Sequence, residues 1–350
     1  MTFLNPNLYK RLARPFFFLL EPEKAQKITH VALKQSWAWE MLAPTFEVKD
    51  PRLKTKLCGI QLDSPVGIAA GFDKNCEMLA SLSALGFGYL VGGTVTVNPR
   101  MGNQSPRLLR LTDKESLINS LGFPNKGLDQ VEKDLRSTDN RHGSDTLILS
   151  ISGTSIADML SCHRRLEPLA RAIEVNISSP NTAGLRTFHN PNNLARLLAT
   201  LNEKRKKPLM VKLPPYPSLE KSGQVETGDK ILNLVQICLR EGVEAVTAAN
   251  SLPVNEPKLA AGSGGLSGKL VFDAMIRMVS DIKAEVADNM SINACGGIST
   301  TEDAWLALQS GATTVQLYTG MVYQGPGIAK NINQGLARLM EKDISGHTPI

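Results

Sequence analysis

Cysteine and histidine are scarce in this chain of 350 residues, and neither residue type is clustered. The five cysteines include no CxxC pair, and the five histidines show no HxxxH or similar ligand spacing. Zinc sites and disulfide frameworks are recognised by such clusters, so the sequence predicts no metal site and no disulfide framework. Dispersed cysteines also favour a reducing compartment.

The chain has no apolar run long enough to span a membrane and no strongly charged block. Its 39 basic and 33 acidic residues are mixed along most of the sequence, which gives a formal net charge of +6. Because no basic block is interleaved with aromatic residues, nucleic-acid binding has little support. The mild positive excess favours anionic small molecules or an anionic membrane surface.

Eight short apolar runs, mostly rich in β-branched residues, alternate with segments of helical apolar spacing. The runs cover residues 66–70, 89–92, 146–149, 172–175, 209–212, 245–248, 291–294 and 314–317. This alternation predicts an α/β fold, a parallel (β/α)8 TIM barrel. A doubly wound open sheet is the alternative, but polar and glycine-rich signatures follow nearly every run and not one switch point alone. Residues 56–65 contain turn signals, and we expect them to form a small hairpin that closes the barrel floor.

The most informative segment follows the fourth run and reads Asn-Ile-Ser-Ser-Pro-Asn-Thr at residues 176–182. Pro180 disfavours helix at Ser179, so a buried strand is expected to end in an extended loop or turn. Asn176, Ser179 and Asn181 can then converge on one small molecule. Carboxamides donate and accept hydrogen bonds without net charge, which suits a heterocycle with alternating N–H and C=O groups. A polar turn that only caps the strand is the alternative.

Polar and glycine-rich segments also follow the other runs, where the active sites of barrels lie. Residues 69–74 follow the first run, and residues 117–123 lie in a long loop after the second. Lys212 ends the fifth run, where an ordinary strand-end lysine is the alternative interpretation. Glycine-rich turns at residues 295–298 and 318–320 follow the seventh and eighth runs. Such barrels bind a phosphate there through backbone N–H groups.

Apolar residues near the N-terminus recur at near-helical spacing and have basic neighbours. They are Leu8, Leu12, Phe16 and Leu19, with Lys10, Arg11 and Arg14 beside them. A second helical segment is expected from about Glu23 towards Trp37 and Trp39. A basic, aromatic, amphipathic helix pair is typical of a segment that lies on a membrane, while a hairpin packed on the barrel is the alternative. The first thirty residues contain acids and lack a small-residue cleavage site, so we expect no targeting peptide.

At these residues the chain resembles the dihydroorotate dehydrogenases, and within them the membrane-associated, quinone-linked class. The resemblance runs from Glu21 to Pro326. It rests most specifically on AAGFDK (69–74), LINSLGF (117–123), NISSPNTAGLR (176–186), GGLSG (264–268) and YTG (318–320). Ser179 indicates the quinone-linked class, because soluble relatives have a cysteine in the corresponding loop.

The resemblance implies FMN in the mouth of the barrel, with Ser179 as the catalytic base for dihydroorotate. Ser179 would take a proton from C5 as hydride passes from C6 to the flavin, which leaves orotate. The implied substrate-binding residues are Lys74, Asn119, Ser120, Leu121, Gly122, Phe123, Asn176, Asn181, Asn250 and Ser251. The implied cofactor-binding residues are Ala70, Gly71, Lys74, Thr94, Ser150, Asn176, Lys212, Ala249, Gly268, Gly297, Tyr318 and Thr319. Among these, Lys212 would lie at the pyrimidine end of the flavin, and the last four would hold its phosphate.

On the quinone side the resemblance implies Gln26, Arg110 and Tyr318. The chain departs from the family pattern at four places. The family usually has histidine where this chain has Gln26 and asparagine where it has Ser150. It usually has a basic, polar loop at residues 152–155, which here read Ser-Gly-Thr-Ser, and Thr-Asn-Thr where this chain has residues 249–251. These departures lie on the flavin and quinone sides, while the residues expected to contact dihydroorotate are retained.

The resemblance therefore implies a quinone-dependent oxidoreductase of de novo pyrimidine biosynthesis that acts on a CH–CH bond. We expect residues 1–45 to form a membrane and quinone-access segment and residues 46–350 an FMN-binding barrel. A peripheral location on the cytoplasmic side of a bacterial cell membrane is expected. One alternative is a flavin barrel adapted to another pyrimidine or another electron acceptor. A non-catalytic paralogue is the other, against which intact Lys74, Ser179 and Lys212 argue.

Overall fold

Short strands form the centre of the molecule. The computed structural model describes residues 9–137, 144–178, 185–216 and 224–344. In chain order the strands are β1 (Thr55–Leu57), β2 (Ile60–Leu62), β3 (Val66–Ile68), β4 (Tyr89–Val95), β5 (Leu108–Leu111), β6 (Ser116–Asn119), β7 (Leu147–Ile151), β8 (Ala172–Asn176), β9 (Leu209–Lys212), β10 (Ala245–Ala248), β11 (Leu252–Asn255), β12 (Ser263–Gly268), β13 (Ser291–Cys295) and β14 (Thr314–Leu317).

Most of the helices follow barrel strands, and three precede the first strand. They are α1 (Arg14–Leu19), α2 (Pro22–Leu33), α3 (Ser36–Phe46), α4 (Leu79–Ala84), α5 (Leu128–Arg136), α6 (Ile156–Leu166), α7 (Pro191–Asn202), α8 (Gln224–Arg240), α9 (Phe272–Val286), α10 (Thr301–Gln309), α11 (Thr319–Gln324) and α12 (Ile328–Ile344). A π-helical turn, Tyr9–Ala13, leads into α1.

Eight strands close into a parallel barrel in the order β3, β4, β7, β8, β9, β10, β13 and β14, and β14 pairs with β3. These are the eight runs that the sequence predicts, so the barrel is confirmed and the open-sheet alternative is excluded. Apolar side chains on the outer face of the strands and on the helices form one large buried cluster. Because both faces of these strands are buried, their sequences are short continuous apolar runs and do not alternate strictly between apolar and polar residues.

The barrel floor is closed by the predicted hairpin. β1 and β2 pair antiparallel, with Thr55 opposite Leu62. Leu57 and Leu62 belong to a buried cluster with the first residues of three barrel strands, Tyr89, Ala172 and Ala245. The amino ends of the strands are therefore sealed from solvent, which leaves the carboxyl ends for binding.

A second sheet lies at the carboxyl end of the barrel and is not predicted by the sequence. β11, β12, β6 and β5 pair antiparallel in that order. Serine and glycine make up most of residues 263–268 and also occur within residues 117–123, so the sequence alone indicates loops in both segments. Pairing across the sheet nevertheless makes residues 116–119 and 263–268 strands. A Cβ atom on Gly264 would lie 2.8 Å from the carbonyl oxygen of Asn119, so glycine permits this close approach.

Two barrel helices begin at capping boxes that explain their hydroxyl-rich starts. The Ser155 side chain accepts a hydrogen bond from the backbone of Asp158, and the Asp158 carboxylate accepts one from the backbone of Ser155. Thr300 and Asp303 make the same pair at the start of α10. The loop at residues 152–155, which departs from the family pattern, therefore starts a stable helix.

The N-terminal helices pack on the barrel and also present an apolar surface. The predicted second segment is divided into α2 and α3, which are separated at Lys34 and Gln35. Most of the large apolar side chains that remain exposed in the described chain lie in this region. They are Leu12, Phe16, Leu19, Leu20, Ile28, Val31, Trp37, Met41 and Leu42. Among the described residues, no helix combines the length and apolar character needed to cross a membrane.

Candidate active site

A polar pocket opens at the carboxyl ends of the barrel strands, and its empty volume, including the open mouth, is about 1190 Å³. Most of the predicted site residues line it. They are Ala70, Gly71, Lys74, Thr94, Asn119, Leu121, Gly122, Phe123, Asn176, Lys212, Ala249, Asn250, Ser251, Gly268, Gly297, Tyr318 and Thr319. These residues include three carboxamides, two lysines and four glycines at positive φ.

Asn176, the last residue of β8, has a fixed orientation. Its side-chain Nδ2 donates to Thr94 Oγ1 at 3.0 Å, and its Oδ1 accepts from the Ser178 hydroxyl at 2.8 Å. The Ser178 hydroxyl in turn accepts from Asn250 Nδ2 at 2.9 Å. Two carboxamides from different strands are therefore held by one hydrogen-bond network, and Ser178 is a contact that the sequence does not reveal.

Ser150 lies behind this network and is not part of the pocket lining. It is fully buried, and its hydroxyl lies 3.0 Å from Thr94 Oγ1. The Ser150 side chain therefore contacts Thr94 and not the pocket itself. Ser120 is also fully buried and absent from the lining, although its neighbours Asn119 and Leu121 line the pocket.

Lys212 brings a buried positive charge to the pocket from the end of β9. It is paired in register with Asn176 and is only 3% exposed. Its ammonium lies 3.9 Å from Cys295 Sγ and has no carboxylate within ion-pair distance among the described residues. Burial lowers the pKa of Lys212, but Cys295 and Glu174 oppose burial and the pKa is raised overall. Lys212 is therefore a fixed cation.

Lys74 is the second cation and lies on the turn after β3. The preceding Asp73 carboxylate accepts backbone N–H groups of Glu77 and Met78 at 2.9 and 2.7 Å, which fixes this turn. Burial lowers the pKa of Lys74 to about 8, with Asp73 opposing the shift and Arg107 adding to it. The charge of Lys74 therefore changes within an accessible pH range.

This pKa predicts a pH dependence for the binding of any anion by Lys74. Below pH about 8 the ammonium is charged and attracts a carboxylate; above it the charge is lost. We expect kcat/KM for a carboxylate substrate to fall about tenfold per pH unit above pH 8, measured on the free enzyme at low substrate. The variant Lys74→Arg keeps its charge, so its profile should stay flat there. A wild-type profile that is flat to pH 10 would contradict this assignment.

Glycines shape the opposite side of the pocket. Gly268 and Gly297 have φ of +93° and +75°. A Cβ atom on Gly297 would lie 2.7 Å from Phe272 Cβ, and one on Gly268 would lie 2.4 Å from the carbonyl oxygen of Glu115. Beside them, the hydroxyls of Ser267 and Thr319 lie 2.9 Å apart. Backbone groups are thus exposed to the pocket, as a phosphate site requires.

Tyr318 joins the pocket to the N-terminal helices. Its ring meets Phe72 edge-on with centroids 5.4 Å apart, and Gln26 Nε2 donates to its hydroxyl at 3.5 Å. His30, one turn after Gln26 on α2, lies over Phe72 with ring centroids 6.1 Å apart. Burial, with Lys74 and Lys34 nearby, lowers the pKa of His30 to about 4, so its imidazole is neutral. Phe72 and His30 are missing from the sequence-based prediction.

Arg110 lies on the N-terminal side of this region and is not part of the pocket lining. Its guanidinium donates to the carbonyl oxygens of Phe17, Phe18 and Leu20, at the end of α1. It also lies over the Phe18 ring at 4.7 Å. Arg110 therefore anchors α1 to β5, because the last carbonyl groups of a helix lack partners within the helix.

Several pocket residues lie outside the segments that the sequence assigns to the site. They are Leu108, Pro124, Val271 and Gln316. Gln316 is the most unusual, because neither polar atom of its buried carboxamide has a hydrogen-bond partner among the described residues. Its place inside a barrel strand gives no sequence signal beyond a polar residue within an apolar run.

Two predicted residues, Ser179 and Asn181, lie outside the described residues. The described chain reaches Ser178 and begins again at Leu185. Within the described ranges, no cluster of His, Cys, Asp and Glu side chains has the arrangement of a metal site.

A closed parallel barrel with buried carboxamides, lysines and a glycine-rich turn at its carboxyl end places the chain among (β/α)8-barrel proteins whose pocket suits an anionic heterocycle. Residues 52–340 match the family model described as dihydroorotate dehydrogenase. The chain belongs to the dihydroorotate dehydrogenase family, as the resemblance implied.

Similar proteins extend over nearly the whole chain. A protein of Roseiflexus sp. (strain RS-1) is 35% identical over 348 residues, with 95% of this chain and 94% of the relative covered. One of Natronomonas pharaonis is 36% identical, with 95% of each covered. Both are named dihydroorotate dehydrogenase (quinone). A crystal structure of ligand-free DHODH from Eimeria tenella has a TM-score of 0.77 at 27% identity and covers 93% of this chain and 96% of its own.

Proposed function

We propose that this chain oxidises dihydroorotate to orotate in de novo pyrimidine biosynthesis and passes the electrons to a quinone. The main supporting observation is the pocket itself. It brings Lys74 and the carboxamides Asn119, Asn176 and Asn250 into one pocket with a buried cation, Lys212. A carboxylate attached to a ring of alternating N–H and C=O groups matches this set of donors and acceptors.

The cofactor we propose is FMN, in a family that is generally flavin-dependent. The pocket fits it in three respects. Lys212 supplies a buried cation and Gln316 a buried carboxamide without a hydrogen-bond partner among the described residues. Gly268 and Gly297 line the pocket with backbone, and they pack too closely against Glu115 and Phe272 to be replaced by a residue with a side chain. FMN, when bound, supplies the hydride acceptor and the connection to a one- or two-electron acceptor. Lys212 would then stabilise negative charge on the reduced ring.

Each substrate group has a proposed partner among the pocket residues. Lys74 would bind the carboxylate, and Asn119, Asn176 and Asn250 would bind the polar edges of the ring. Their orientation is fixed before binding, because Asn176 is held by Thr94 and Ser178. Such preorganisation lowers the entropic cost of binding.

Ser179 is proposed as the base, on the strength of the family motif and its position one residue after Ser178. Serine is a weak base, so a proton acceptor beyond it, or ordered solvent, must carry the proton onward.

For the quinone we propose entry beside α1 and α2, with the protein bound peripherally to the cytoplasmic face of a cell membrane. The exposed apolar side chains of residues 9–46 support this proposal, since an amphipathic surface of this kind inserts into the interface of a bilayer. Gln26 and Tyr318 would lie between that surface and the flavin. We propose that residues 1–45 form the membrane and quinone-access segment and residues 46–350 the FMN-binding catalytic barrel.

Polar substitutions on this surface should separate the two half-reactions. The combined variant Phe16→Ser, Leu19→Ser and Met41→Ser removes three side chains that are more than 70% exposed, so the fold should persist. We expect vesicle binding and reduction of a long-chain quinone in vesicles to fall about tenfold or more. Reduction of a soluble dye should not change.

The matched control is Leu306→Ser, an exposed leucine on α10 far from this surface in the sequence. It should leave both assays unchanged. Equal losses with quinone and dye in the triple variant would show that the surface is structural and would contradict the proposed membrane contact.

The proposed activity is tested by orotate formation with the FMN-reconstituted protein, dihydroorotate and a quinone in detergent. We expect orotate to form only when both FMN and the quinone are present. If orotate formed only with a different electron acceptor, dihydroorotate would remain the substrate and the proposal of a quinone acceptor would be refuted. A protein that binds no FMN would refute the proposal.

A further inference from the structure

A chain of hydrogen bonds runs through the barrel interior below the pocket. The Tyr89 hydroxyl donates to Asn293 Oδ1 at 2.8 Å, and Thr314 Oγ1 donates to the same atom at 3.2 Å. Asn293 Nδ2 donates to Thr247 Oγ1 at 3.3 Å, and the Thr247 hydroxyl donates to Glu174 Oε2 at 2.8 Å. Every donor in this chain is directed towards the carboxylate of Glu174. The hydrogen bonds in such a chain polarise one another, so together they stabilise a negative charge at the end of the chain.

The carboxylate of Glu174 is fully buried, and the chain satisfies only one of its oxygens. Its Oε1 has no hydrogen-bond partner among the described residues. A buried charge is costly unless an opposite charge compensates it, so a cation is required nearby.

That cation is Lys212. Lys212 on β9 is paired in register with Asn176 on β8. Glu174 lies two residues before Asn176 on the same face of β8, about 7 Å away along the strand. The carboxylate of Glu174 is one of the groups that raise the pKa of Lys212 against the effect of burial. The nearer neighbour, Cys295, does not supply a stable negative charge, because burial raises the pKa of its thiol.

We infer that Glu174 is the counter-charge of Lys212 and a positioning residue that sets how strongly this site favours the reduced flavin. The inference rests on the proposed function, because it assigns the pyrimidine end of FMN to Lys212. An uncompensated Lys212 would stabilise the anionic reduced ring most strongly. Glu174 reduces that preference, so that electrons leave for the quinone more readily. Buried charges are costly even when an opposite charge lies nearby, so stability alone does not explain a glutamate and a lysine on neighbouring strands of the barrel interior.

The test measures the reduction potential of the bound flavin by anaerobic equilibration of the holoenzyme with a dye of known potential. The variant Glu174→Gln removes the charge but keeps an oxygen that accepts from Thr247. We expect it to favour reduced over oxidised FMN at least tenfold more than the wild type, a rise of about 30 mV for a two-electron couple. The control Thr247→Val breaks the same hydrogen bond without removing a charge, and we expect less than a threefold change.

An unchanged potential in Glu174→Gln, or equal shifts in both variants, would overturn the inference. A second measurement needs neither FMN nor dihydroorotate. Thermal unfolding of the apoprotein should show coupling between Glu174→Gln and Lys212→Met, since each single variant leaves a buried group without its partner. The double variant should melt above both single variants. Additive effects would overturn the charge pairing, whether or not the protein oxidises dihydroorotate.

Discussion

The variant Ser179→Ala is expected to reduce flavin by dihydroorotate about 10²- to 10⁴-fold more slowly than the wild type, while its FMN stays bound. This range is the usual contribution of a positioned acid or base in proton transfer. The expected loss lies in the rate of the first half-reaction. It is measured by stopped-flow mixing with saturating dihydroorotate under anaerobic conditions, because binding and quinone chemistry do not limit that rate.

The neighbouring Ser178 provides a matched control. Its hydroxyl donates to Asn176 and accepts from Asn250, so Ser178→Ala disturbs two binding carboxamides without removing a base. We expect a loss of about 30-fold at most, since two neutral hydrogen bonds of about 1 kcal/mol each are removed. If Ser178→Ala lost more activity than Ser179→Ala, the assignment of Ser179 as the base would be wrong.

The variant Lys74→Met is expected to raise KM for dihydroorotate at least about 30-fold and to lower kcat much less. Removing one partner of a buried, hydrogen-bonded charge pair costs 2–5 kcal/mol or more, and this energy is lost from ground-state and transition-state binding alike. The turn that carries Lys74 is held by Asp73, so the rest of the pocket should keep its shape.

Lys126 offers a comparable change of charge outside the pocket. It is partly exposed and pairs with Glu77, at the end of the same turn. Lys126→Met should therefore change KM less than twofold. Similar rises of KM in the two variants would mean that Lys74 affects substrate binding only through the overall electrostatic potential of the protein. A specific contact with the substrate would then be refuted.

The barrel could be predicted from the sequence because each strand is a short apolar run followed by a polar or glycine-rich turn. In a parallel barrel those turns meet at one end, so finding the strands also locates the pocket. This is why Asn176, Lys212 and Gly297, which are far apart in the sequence, line one cavity.

The sheet above the barrel could not be predicted in this way. Five of the six residues in the segment 263–268 are glycine or serine, and its strand conformation comes from pairing with β6 and β11. The residues inside the barrel were also missed. Glu174 and Gln316 each read as one polar residue in an apolar run, and only the closed barrel shows that Glu174 faces Thr247.

The N-terminal helices illustrate the limit of periodicity. The spacing predicts apolar faces but does not decide between packing and exposure. Both occur, because Ala25 and Leu33 are buried while Ile28 and Val31, on the same helix, are exposed. The break at Lys34 and Gln35 is set by packing, without a glycine or proline to mark it.

The most direct test is to mix the FMN-reconstituted protein with dihydroorotate in the absence of oxygen and to follow the visible absorbance of the flavin. We predict rapid bleaching, followed by recovery of the absorbance when a quinone is added. Absence of bleaching in protein that has bound FMN would contradict the central claim that this pocket oxidises dihydroorotate.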